Sequence, residues 1–181
     1  HLGIMHMEDG DIAGAEEAWK HSLSRAPSGW AYRNLAVVQE RRDDSQGRRE
    51  MLGRAWETGP RVAAIAIEYA HVLLRAKDYE ALAVLMETAP PEVRTHERMR
   101  LVAAQAALDC GDLDAVAPVF DYDFATVREG EVTLTDLCFQ YHEKRIALLE
   151  GIPVDDALRR RIKRECPPPP RIDFRMIRDV D

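Results

Sequence analysis

Between Glu8 and Pro27 the chain reads EDGDIAGAEEAWKHSLSRAP, and residues 109–121 read DCGDLDAVAPVFD. In both, Gly-Asp precedes small and apolar residues at helical spacing. An aspartate there suits a helix N-cap, because its carboxylate accepts backbone N–H bonds and favours the positive helix end. The glycine before it suits the left-handed residue that closes a preceding helix. Each stretch therefore predicts the turn between two helices. The aspartate recurs at Asp11, Asp44, Asp78 and Asp112, steps of 33, 34 and 34 residues, after Gly10, Asp43, Lys77 and Gly111. Other positions keep the step. Leu2, Leu35 and Tyr69 fall in register, as do the small residues Gly3, Ala36, Ala70 and Ala104. Trp19, Leu52, Leu85 or Met86, and Phe120 form a bulky row, and Pro27, Pro60 and Pro90 close three units. Self-similarity at this period marks a helical repeat array.

The spacing predicts helices over 1–9 and 11–25, 30–42 and 45–57, 61–76 and 78–88, and 95–110 and 112–120. Pro118 should end or kink the last, since an interior proline costs about 3 kcal/mol. The pattern resembles the tetratricopeptide repeat: Leu2-Gly3, Gly10-Asp11, Ala15, Trp19 and Pro27 in the first unit, then Tyr32, Leu35-Ala36, Leu52, Ala55 and Pro60 in the second. Arg48 departs from it, standing where a small residue is usual. The third and fourth units are looser. The resemblance implies an all-α, right-handed superhelical array of helical hairpins over 1–120, with capping helices over 121–166 and an extended proline-rich tail over 167–181. His1-Leu2-Gly3 begins mid-helix, so the first repeat reads as truncated and the chain as a piece of a longer protein. Its open face, with Leu2, Ile4 and Met5, is a candidate for self-association.

Beyond the array, VTLTDLCFQYHEKRIALLEG (132–151) predicts a helix with Thr133 as N-cap. Leu134, Leu137, Cys138, Tyr141, Leu148 and Leu149 form one apolar side and Phe139 and Ile146 a second, so it asks for cover on both. Asp155-Asp156 opens a short basic helix. Pro167–Pro170 reads as polyproline II. Ile172, Phe174 and Met176 alternate with Arg171, Asp173 and Arg175, the period of an extended strap. The ending resembles the C-terminus of a group of large bacterial proteins in which a β-rich domain precedes tetratricopeptide repeats, through Leu134-Thr135-Asp136-Leu137, the spacing to the prolines, and Ile172-Asp173-Phe174-Arg175. That likeness implies that any chemistry, of a carbohydrate kind, belongs to the β-rich domain.

The 181 residues are 46% hydrophobic and 31% charged, ordinary for a globular chain. The net charge of −7 argues against nucleic acid as a partner. No apolar run is long enough for a membrane span, and the expected location is cytoplasmic. The three cysteines, Cys110, Cys138 and Cys166, make no CxxC pair. None of the six histidines stands at a metal-ligand spacing. No nucleophile or phosphate-loop motif is present. The reading is therefore non-enzymatic, with no cofactor, metal or catalytic residue expected. The basic run Arg159 to Arg164 could hold an acidic partner or pair within the fold. Trp30 and Tyr32, opening a first helix, are partly free to touch something else.

In tetratricopeptide arrays the first helices line a concave, peptide-receiving face. Carried over in register, the resemblance implies a lining of Arg33, Val37 and Glu40, then Ile67, His71 and Leu74, then Arg98, Leu101 and Gln105. The carboxylate clamp of chaperone-binding members is broken, because Val37 follows Arg33 and Glu68 stands where Asn is expected. The expected function is a protein-interaction scaffold binding a peptide or partner domain. The alternative is a structural accessory domain packing on a β-rich domain of the same polypeptide.

Overall fold

The computed structural model describes residues 2–125 and 133–175. Among them the secondary structure is helical throughout, with no strand. Eleven α-helices follow in order: α1 (Leu2–Glu8), α2 (Ile12–Arg25), α3 (Gly29–Arg41), α4 (Ser45–Thr58), α5 (Ala63–Arg75), α6 (Tyr79–Thr88), α7 (Pro91–Arg94), α8 (Glu97–Cys110), α9 (Leu113–Val116), α10 (Thr133–Glu150) and α11 (Asp156–Glu165). Two 3-10 turns, Ala117–Asp121 and Pro170–Ile172, complete them. The chain divides into two compact units, 1–99 and 100–181.

The turn that opened the sequence reading recurs four times with one geometry. Gly10, Asp43, Lys77 and Gly111 hold φ of 77°, 57°, 55° and 83°. The next residue, Asp11, Asp44, Asp78 or Asp112, has φ between −81° and −87° and ψ between 74° and 85°. Its N–H donates to a carbonyl five residues back: His6, Gln39, Leu73 and Ala107, at 2.7 to 3.0 Å. Its carboxylate accepts from the N–H three residues on, at Gly14, Gly47, Ala81 and Ala115 (2.8–3.1 Å). One helix is closed and the next capped by the same six residues.

In the first unit, successive helices share cores. Ala15 and Trp19 of α2 pack with Leu35 and Val38 of α3. Ala36 of α3, Leu52 of α4 and Val72 of α5 form the next cluster. The small row Gly3, Ala36, Ala70 and Ala104 is buried throughout. In the bulky row Leu85 is buried and Met86 only half-buried. The hairpin of α3 and α4 closes at its open end on two glycines. A Cβ on Gly29 would stand 2.4 Å from the Gly59 Cα, so backbone meets backbone there. The reading without α7 was incomplete: after α6 ends at Thr88, Pro91 opens this extra turn, which packs on α5 and buries Val93.

In the second unit, Leu101, Ala104 and Leu108 of α8, Val116 of α9, Leu134, Leu137 and Cys138 of α10, and Ile172 make one core. Phe139 on the other side of α10 packs with Leu158 and Ile162 of α11. The two apolar sides of α10 are thus covered by different partners. Leu148 and Leu149, in the last turn of α10, are exposed instead. Thr133 is already helical rather than the residue before the helix. Pro118 converts the end of the α9 segment into a 3-10 turn, as its ring demands. Pro169 has polyproline-like φ −55° and ψ 145°, but Pro170–Ile172 then turns instead of running extended. That turn drops Ile172 fully into the core and lays Phe174 against it. Met176 lies outside the described residues.

Candidate functional site

Residues 33, 37 and 40 stand at i, i+4 and i+7 on α3, and residues 67, 71 and 74 at the same spacing on α5, so each set shares a helix face. All six belong to the first unit. Val37, Ile67 and Leu74 are half-buried, while Glu40 and His71 are exposed. Arg98, half-buried in the first turn of α8, belongs to the same unit. Leu101 and Gln105 belong to the second. Leu101 is buried in that unit's core and offers a partner little surface. The Gln105 amide donates to Asp109 Oδ1 at 3.0 Å and Gln140 Oε1 at 3.4 Å.

The charges on α3 and α5 are arranged in pairs. Arg33 Nε donates to both Glu68 oxygens at 3.0 and 3.1 Å, and its Nη2 donates to Oε1 at 2.6 Å. Glu68 thus supplies Arg33 with a two-pronged carboxylate, and Arg33 is not an open cation. Glu40 Oε1 accepts Arg48 Nη1 at 2.5 Å. Arg49 of α4 is paired with the capping carboxylate of Asp78.

Arg48 occupies an unusual place. It stands four residues after a capping aspartate, in register with Ala15, Leu82 and Val116, which are all buried apolar residues. At the second turn alone this position carries a charge. The Arg48 side chain, still 16% exposed, turns to Glu40. It lines a cavity of about 410 Å³ together with Glu40, Asp43, Ser45, Gln46, Arg49, Val72, Arg75 and Ala76. Arg75 lies four residues after His71 on α5, so the two share a face. Arg75 is exposed and has no carboxylate partner among the described residues. Partial burial of the His71 ring, with the positive charges of Arg75, Arg98 and Arg48, holds its pKa below the ordinary value near 6.5.

A second cavity, about 530 Å³, is lined by Trp56, Glu57, Arg61, Tyr69, Asp78, Glu80, Val84 and Thr88 among others. Arg61 stacks 5.5 Å above Trp56 and donates to the Thr88 carbonyl, so the chain's own cation occupies its aromatic floor. Burial pushes the Tyr69 hydroxyl up in pKa. Trp30 is 47% exposed, while Tyr32 is half-buried under the Arg54 guanidinium.

The basic run of α11 is largely paired within the second unit. Arg161 donates to both Glu150 oxygens at 2.7 and 2.8 Å and to Glu165 at 2.9 Å. Arg159 pairs with Asp156, and Arg164 with Glu165. Among the described residues, no three His, Cys, Asp or Glu side chains come together as a metal site. No described helix is long and apolar enough to cross a membrane.

Arg75 is the surface feature that sequence reasoning passed over, and Arg48 was noted there only as a departure from the repeat pattern. Arg75 was visible as the residue one turn beyond His71. No family model, curated protein or solved structure matches this chain.

Proposed function

We propose that the chain is a tetratricopeptide-type interaction module whose first helices, α3 and α5 above all, form a face that docks a protein segment. The observation that carries this reading is the four-fold turn. A shared backbone conformation, a shared capping bond and a 33- to 34-residue step support reading these hairpins as repeats of one unit. Stacks of this kind leave the first helices of successive hairpins side by side, with alternating side chains available to a ligand. A right-handed superhelix with a concave inner face is the arrangement such hairpins adopt, and the chain's role is then that of a scaffold.

The test is site-specific crosslinking in the full chain. A photoreactive residue at position 71 should give an adduct with a discrete protein, and the purified protein should bind without the crosslinker. A photoreactive residue at exposed Val84 on α6 should not give that adduct. Equal adducts at both positions, or none at 71, would remove this face from the account.

A second reading rests on a different surface. Leu148 and Leu149 are 77% and 72% exposed, and Ile152 and Val154 stand beside them in sequence, also exposed. An apolar patch of this kind suits cover by another domain of the same polypeptide or by a second copy. Sedimentation across a range of concentrations, with and without Leu148→Lys and Leu149→Lys, separates self-association from a monomer.

A further inference from the structure

α5 packs on both α4 and α6, and an open trench runs over it between the two. Beside the 530 Å³ cavity described above lies a further one of about 400 Å³. Gly53, Glu57 and Tyr69 line both, so the two are continuous. The α4 wall carries Gln46, Glu50, Gly53 and Glu57, spaced for one helix face. That wall is about 16 Å long, enough for about five residues of extended chain. Val84, 54% exposed, gives the α6 wall an apolar part. At the base, a Cβ on Gly53 would stand 3.3 Å from the Tyr69 hydroxyl oxygen, so the glycine keeps the trench open there. The charges around it are unbalanced in one sense. Arg49 is held by Asp78, Arg54 lies over Tyr32, and Arg61 lies over Trp56 and donates to the Thr88 carbonyl. Glu57 and Glu80 are exposed and have no cation partner among the described residues. Glu50 accepts only the Gln46 amide there. The Tyr69 hydroxyl has no hydrogen-bond partner among the same residues. Arg61 shows what the aromatic end of the trench takes, a guanidinium stacked on a ring.

We propose that the trench between α4 and α6 binds an extended basic segment of a partner protein, with a lysine or arginine head held by Glu57 and Glu80 over the Tyr69 hydroxyl. The open charges here are negative, and the hydroxyl can accept a hydrogen bond from an N–H of the incoming cation. The long stem of such a side chain can lie along Val84 while its head reaches the carboxylates. The net charge of −7 draws a basic segment toward the chain, and the trench fixes where it settles. This ligand is a second one, on different helices from the docking face of α3 and α5, so failure at either surface leaves the other standing.

The experiment is fluorescence anisotropy of the full chain with a short labelled peptide alternating Lys with Ala. Its Gln-for-Lys and Glu-for-Lys counterparts serve as controls. The Lys peptide is expected to bind tightest, and raising salt from about 50 to about 150 mM should weaken it several-fold. Glu57→Gln and Glu80→Gln should each weaken binding about three- to fivefold. Glu17→Gln, the same charge change on exposed α2, should leave it within about 1.5-fold. Gly53→Leu fills the trench without changing charge and should weaken binding about tenfold. Equal binding of the Lys and Gln peptides at low salt overturns the proposal. So does an equal loss in Glu57→Gln and Glu17→Gln, which would report net charge alone. Unchanged affinity in Gly53→Leu at an unchanged melting temperature overturns it too. If Gly53→Leu lowers the melting temperature, the comparison of Glu57→Gln and Glu80→Gln with Glu17→Gln decides, since all three side chains are exposed.

Discussion

The two units are held together in different ways. In the first, the main packing joins helices adjacent in the chain, with Arg33–Glu68 and Ala36–Val72 reaching one helix further, and the turns at Asp11, Asp44 and Asp78 repeat one local solution. In the second, the key bonds span long stretches of sequence. The buried Thr135 hydroxyl donates to the Ile172 carbonyl at 2.9 Å and accepts from Phe174 N–H at 3.1 Å. Arg171 reaches back to the Phe120 carbonyl and to Asp121. A repeat can be stable through neighbours alone. The second unit instead needs the segment around Ile172 to fill a core that α8, α9 and α10 leave open.

The largest break in the first unit should come at its backbone crossing. Gly29→Val puts branched carbons against the Gly59 backbone and should cost about 3 kcal/mol. All three tryptophans, Trp19, Trp30 and Trp56, lie in the first unit, so tryptophan fluorescence during urea unfolding reads this loss directly. An unchanged midpoint would show that the α3–α4 crossing tolerates separation.

The matching break in the second unit is Thr135→Val. It keeps the shape but leaves the Ile172 carbonyl and Phe174 N–H without the hydroxyl, a loss of about 2 kcal/mol. Cys138 is the reporter here. Its thiol is buried, and burial pushes its pKa up to about 11, so it should react slowly with a disulfide reagent while exposed Cys110 reacts fast. Thr135→Val should speed Cys138 and leave the tryptophan signal unmoved. If the tryptophan midpoint shifts equally, the two units unfold as one.

Smaller effects sharpen the comparison within the repeated turn itself. Asp44→Ala and Asp112→Ala should each cost about 1 kcal/mol, one in each unit, because the lost capping bond is the same. Lys77→Gly should gain roughly 0.5–1 kcal/mol by relieving a side chain at φ 55°, whereas Gly111→Lys should lose a similar amount. Melting temperatures of the four variants decide whether the turns are equivalent.

The smallest expected effect is on pH dependence. Burial, with nearby arginines, lowers the pKa of His71 in the first unit and of His142 in the second. The folded chain then binds fewer protons than the unfolded one below about pH 6.5. Stability from both residues is present above that pH and is lost as pH falls toward the folded values. Glu143 works in the opposite sense, because burial raises its pKa and its neutral form favours the fold. His71→Gln should flatten the fall in melting temperature between pH 7 and pH 5.5. An unchanged slope would place the dependence on other groups.

The helical hairpins were legible because helix caps and chain reversals are local. The pairing of Gly10, Asp43, Lys77 and Gly111 with the following aspartates sits within six residues of sequence each time. Core rows such as Ala36, Ala70 and Ala104 were legible for the same reason, since one turn geometry forces one register. The short α7 was not, because its place is set by how Val93 packs beneath α5. The partner of Arg33 was not legible either. Glu68 stands 35 residues away, and only the packing of α3 on α5 brings the two within 2.6 Å.

Sequence alone thus determined the helices, their turns and the period of the repeat, all of which depend on interactions a few residues apart. Tertiary structure decided that Leu101 is core rather than surface, that Arg161 is tied to Glu150, and that residues 170–172 turn inward instead of running as a strap. It also brought Arg48 and Arg75 to one cavity. Each of those outcomes depends on which distant side chains meet, and the free energy of burial and ion pairing is settled only by that meeting.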